Sequence, residues 1–200
     1  MKERFLVSLA ALLPAGAVLY LGRASEIAAI LLPALFHELG HVLALWLLGL
    51  QIRRFRLELR GFCIEYHGET GAVGHALAAA AGPIAGFLWA VGASLLGKRL
   101  QADWLFLSAG VSFLLSLFNL LPALPLDGGR IVLSLSCALL GTQRGAKLTE
   151  ALSLFVGMTL LGLGMLLLFR GFGAAVLVSA IWLLLFQESG SVLAKRREMI

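Results

Sequence analysis

Apolar runs of about twenty residues recur along this chain, and most charged residues lie in the short stretches between them. A helix of that length matches a hydrocarbon core about 30 Å thick. Only 14% of the 200 residues are charged and 60% are hydrophobic, whereas soluble domains are about a quarter charged. Such a chain can bury its apolar surface only in a bilayer, so the pattern predicts a polytopic membrane protein. Six spans fit: residues 5–21, 27–50, 72–96, 104–140 with a break over 119–130, 148–169 and 174–186. The apolar start, which could pass for a signal peptide, has no small-residue cleavage site followed by a soluble domain, so it reads as the first span. No repeat or second domain is visible, which predicts one integral-membrane domain over 1–200.

Lys and Arg orient the spans. With the N-terminus inside, the inner segments carry Lys2, Arg4, Arg53, Arg54, Arg56, Arg60, Arg144, Lys147 and Lys195 to Arg197. The outer loops hold Arg23, Lys98, Arg99 and Arg170. That bias predicts both termini in the cytoplasm. The net charge of +5 is therefore topological, and without a basic stripe interleaved with aromatics it implies no nucleic-acid partner. Cys63 and Cys137 imply no disulfide framework.

Inside the second span lies Phe36-His37-Glu38-Leu39-Gly40-His41. Two helical histidines four residues apart lie about 40° apart around the axis, one turn apart along it, so both can reach one metal ion. Glu38 stands beside them, close enough to take a proton from water activated there. This is the HExxH pattern of zinc hydrolases. Three such polar groups in hydrocarbon are costly unless they have a task.

After this span, residues 55–66 alternate apolar and polar on either side of Arg60-Gly61, which predicts a β-hairpin. An open sheet edge cannot face lipid, so the hairpin belongs at the interface or against a water-filled cavity.

A catalytic zinc takes three protein ligands. Among the acidic residues only Glu38 and Asp127 lie well inside apolar runs. Asp127 follows Asn119, Pro122 and Pro125 and precedes Gly128 and Gly129. Prolines and glycines there break the fourth span, and broken helices at membrane depth line cavities. His67 and His75 read as loop or interfacial residues.

The two motifs together resemble the site-2 protease family of intramembrane zinc metalloproteases, most closely its stage IV sporulation protein FB type. The likeness covers the second through fourth spans. It implies an all-α membrane fold with about six transmembrane helices, the hairpin after the second and the broken fourth. It implies one zinc held by His37, His41 and Asp127, with Glu38 as catalytic base. A family Gly-x-x-x-Asn/Ser/Gly element falls on Gly82 to Gly86. Gly86 stands where many relatives have Asn, which makes Asn119 the candidate for that polar contact. Asn119, Pro122, Pro125, Gly128, Gly82 and Gly86 are thus expected to support the site or the substrate. The implied reaction is hydrolysis of a peptide bond in or near a transmembrane segment of a membrane-associated protein, extending to regulated proteolysis of a pro-sigma factor, with a membrane regulator as a further partner. The expectation for these 200 residues is a domain without a PDZ insertion or a CBS domain.

Three other readings compete with this one. Membrane-embedded His, Glu and Asp also mark metal-ion transporters, but no inverted repeat accompanies them. A non-catalytic binding subunit would have no use for Glu38. Glu58 as third ligand, after the gluzincin pattern, would need a helix where the sequence reads as strand.

Overall fold

The computed structural model describes residues 23–58, 61–67, 70–171 and 173–185. The expected first span, the centre of the hairpin turn, and the C-terminal tail with its charges lie outside the described residues. Among those described, six helices and one hairpin follow in order: α1 (Ala24–Leu47), β1 (Gln51–Glu58), β2 (Gly61–His67), α2 (Ala72–Leu100), α3 (Asp103–Asn119), α4 (Asp127–Leu140), α5 (Thr142–Leu168) and α6 (Ala174–Leu185). Only α1, α2 and α5 are long and apolar enough to cross a membrane by themselves, and 103–119 and 176–185 are shorter apolar helices.

Helix bounds depart from the hydropathy reading where a charge ends the apolar run. α2 runs through Lys98 and Arg99 to Leu100, because cations in a last turn favour the helix dipole. α5 starts at Thr142, so Arg144 and Lys147 lie in its first turns and only Gly141, at φ +81°, separates it from α4. A polar terminus can extend a helix beyond the hydrocarbon.

β1 and β2 pair antiparallel from Gln51↔His67 to Glu58↔Gly61, with an irregularity between Ile52 and Arg54. The hairpin thus extends four residues ahead of the alternating stretch.

The chain divides into two compact units. The first holds α1, the hairpin, α2 from Ala81 onward and α3 as far as Leu117; the second holds Glu69–Ala80 and the chain from Phe118.

In the first unit the helices are inverted relative to a soluble protein. α1 exposes Leu31, Leu35, Leu39, Leu43 and Leu47, one per turn, and buries Ala29, Pro33, His37 and Gly40. In lipid, leucine gains nothing by leaving the surface, and small residues let backbones approach. A Cβ on Gly40 would strike the Ala81 carbonyl and lie 2.6 Å from the Ala85 Cβ. Trp89 joins three helices: its ring stacks on Phe36 at 4.0 Å, and its indole N–H donates to Ser108 Oγ at 2.9 Å.

The second unit uses the same devices. A Cβ on Gly145 would lie 2.6 Å from backbone atoms of Ser136 and Cys137, so α5 crosses α4 backbone to backbone. Hydroxyls fill the contact, with Ser136 Oγ 3.2 Å from Thr149 Oγ1. Ala123, Leu126 and Leu183 form its apolar centre, with Val156 and Leu160 packed against them.

Candidate metal centre

His37 and His41 stand on consecutive turns of α1, His37 buried at 5% exposure and His41 half-buried. Their Nε2 atoms are 3.3 Å apart, and the rings meet edge to face at 80°. Two nitrogens each about 2.0–2.1 Å from one tetrahedral zinc lie about 3.3–3.4 Å apart. The pair therefore has the spacing of two ligands on a shared zinc. Glu38 is half-buried on the same turn.

α2 packs directly on this pair. Gly82 is buried, and a Cβ there would collide with the His41 imidazole at Nε2 and Cε1. The missing side chain is what lets His41 lie against α2. Gly86, one turn on, leaves room for the Ser116 hydroxyl in the same way. The Gly86 carbonyl accepts a 2.7 Å bond from Ser112 Oγ.

In the second unit, Asp127 opens α4 and is 5% exposed. Leu126 precedes it as the N-cap, its carbonyl accepting the Arg130 N–H at 3.1 Å. Gly128 and Gly129 are buried because the preceding loop lies across them. A Cβ on Gly128 would meet the carbonyls of Leu120 and Leu121, and one on Gly129 the backbone of Ala123. Pro122 and Pro125 are half-buried within that loop, with a cis bond at Leu124–Pro125, and Asn119 ends α3 half-buried. His37 and His41 in the first unit, and Asp127 in the second, are each of a residue type that can ligate a metal ion. Glu58 ends β1, a strand, which is the wrong element for a gluzincin ligand.

Residues 6–172 match the family model described as peptidase M50B-like. The chain belongs to that family. The fold is that of the site-2 protease from Methanocaldococcus jannaschii, with a TM-score of 0.66 at 18% identity, over 99% of this chain and 89% of that one. A Synechocystis sp. protein provisionally named a zinc metalloprotease is 31% identical over 113 residues, 54% of this chain and 30% of that relative's length. The chain thus spans less than a third of this curated relative. Membership of this membrane metalloprotease family implies zinc, and the His37–His41 spacing fits it.

Sequence reasoning flagged Gly82 and Gly86 only through a family pattern, and the structure supplies the physical reason for each. It missed Ser108, Ser112 and Ser116, all fully buried on one face of α3. Their spacing of four was the available signal.

Proposed function

We propose that this protein is an intramembrane zinc metalloprotease, of the type related to the sporulation protein FB, that cuts a membrane-associated protein in or near its transmembrane segment. The observation that carries this reading is the 3.3 Å separation of His37 and His41 Nε2 with Glu38 between them on α1. His37, His41 and Asp127 would hold the metal. Zinc, when bound, supplies Lewis acidity and water that can be deprotonated near neutral pH.

The chain's own residues do the rest. Glu38 accepts a proton from the attacking water and returns it to the leaving amine, as a general base and then acid. Gly82 keeps His41 seated against α2. A peptide bond inside a helix is shielded by its hydrogen bonds, so the substrate has to unwind before it is cut. The β1–β2 hairpin offers backbone groups to which an extended segment could add as a strand. Both termini on the cytoplasmic side would put the metal motifs toward that face, where water enters. Substrates that fit this chemistry include a membrane-tethered transcription factor precursor such as a pro-sigma factor, released by the cut under a membrane regulator.

The test is a comparison of membrane proteomes from cells carrying the wild-type protein or Glu38→Gln. A protein that accumulates uncleaved only with Glu38→Gln is the expected result. Identical proteomes under conditions where the wild-type protein is expressed and zinc-loaded would count against the protease reading.

A further inference from the structure

The loop before Asp127 has few ways to satisfy its backbone. Pro122 and Pro125 carry no N–H. Leu121 N–H bonds the Phe118 carbonyl at 3.1 Å, Ala123 N–H the Leu121 carbonyl at 2.7 Å and Leu126 N–H the Ala123 carbonyl at 2.9 Å. Leu124 is different. It is 1% exposed, and its N–H donates to Ser153 Oγ on α5 at 2.9 Å, 29 residues away. The Ser153 hydroxyl in turn donates to the Thr149 carbonyl at 2.7 Å. That bond fixes its proton and leaves an oxygen lone pair for Leu124. One hydroxyl is used in both directions, at 3% exposure.

Between Leu124 and Asp127 there is little slack. Pro125 has a fixed φ, and Leu126 is held at both its N–H and its carbonyl. Apolar packing of Ala123 and Leu126 against Leu183, Val156 and Leu160 seats the loop, but such packing is non-directional. The Ser153 bond fixes the direction of a peptide plane in this loop from another helix.

We propose that Ser153 is a positioning residue for the metal centre, acting through the Leu124 peptide to set where the Asp127 carboxylate stands. This rests on the reading of Asp127 as a zinc ligand. Groups that orient a ligand typically change metal affinity by about 10–100-fold when removed, which sets the expected effect.

The experiment uses the full chain in lipid nanodiscs. Zinc affinity is measured by competition with a chelating dye, and amide exchange over 120–126 is measured in metal-free protein. Ser153→Ala should weaken zinc binding about 10- to 100-fold and speed exchange across the loop. Ser153→Thr, which keeps the hydroxyl, should restore both. Wild-type zinc affinity in Ser153→Ala, whatever happens to thermal stability, overturns the proposal. Should that variant fail to accumulate, Ser153→Cys offers only a weak acceptor and should show a smaller loss; no loss in it overturns the proposal equally. Asp127→Ala separates the two readings. If it leaves wild-type zinc affinity unchanged, Asp127 is not a ligand and the Ser153 proposal falls with it. If Asp127→Ala loses zinc while Ser153→Ala does not, only the Ser153 proposal fails.

Discussion

Replacing Gly82 by alanine adds one methyl group at the point where α2 meets His41. That methyl would lie 2.5 Å from Cε1 and 2.8 Å from Cδ2 of the imidazole. Carbon atoms in good contact sit about 3.5–4.0 Å apart, so the overlap is about 1 Å. Ordinary overpacking of this kind costs about 1–3 kcal/mol. The ring is the softer partner, because the alternative is to push two helix backbones apart. Ligand distances tolerate only about ±0.2 Å, so a displaced ring forfeits its bond geometry. If the strain goes into the ring, the same energy appears as a loss of zinc affinity of roughly 5- to 150-fold. The assay is zinc competition on purified Gly82→Ala, with Gly92→Ala as control. Gly92 lies on the same helix with nothing within 4 Å of a Cβ, and alanine there should leave zinc binding unchanged. Wild-type zinc affinity in Gly82→Ala would refute the idea that Gly82 seats a ligand.

Further expectations follow from the same contacts. Ser116 Oγ is buried without a hydrogen-bond partner, so Ser116→Ala should leave thermal stability unchanged or raise it. Ser112→Ala should lower stability by about 0.5–1.5 kcal/mol, because it gives up the bond to the Gly86 carbonyl; equal effects of the two in a denaturation series would contradict this. One of Leu57→Pro and Ile64→Pro, whichever lies on the edge that receives substrate, should slow cleavage of a transmembrane substrate with zinc content intact, since proline removes a strand donor. If neither does, strand addition is wrong. Asp127→Ala should purify with less than one zinc per chain by metal analysis, and full occupancy would remove it from the ligand set.

What the sequence discloses divides along a physical line. His37 and His41 are legible because helix geometry alone brings positions four apart to one face, and Glu38 because it adjoins them in an apolar run. The break between α3 and α4 is legible because Pro122, Pro125 and the glycines cannot continue a helix. Helix ends at Leu100 and Thr142 are not, since hydropathy reports where lipid stops and a helix can continue past it. The roles of Gly82, Gly86 and Gly128 are invisible for a related reason. A glycine in an apolar run shows that something comes close, and only the three-dimensional packing shows that it is His41, Ser116 or the loop backbone. Ser153 is hidden more deeply. A helical serine in hydrocarbon ordinarily bonds the carbonyl four residues back, as Ser134 does to Arg130, and nothing in the sequence marks the one that also holds a distant peptide.

The most direct test of the account measures zinc content and cleavage together, in the purified protein reconstituted with a single-span membrane substrate. The wild-type protein should hold one zinc per chain and cut the substrate. Glu38→Gln should hold the same zinc and cut more slowly by about 10²–10⁴-fold, while His37→Ala with His41→Ala should lose both. Proteolysis at the wild-type rate in zinc-loaded Glu38→Gln, or full zinc occupancy without the two histidines, would contradict the account.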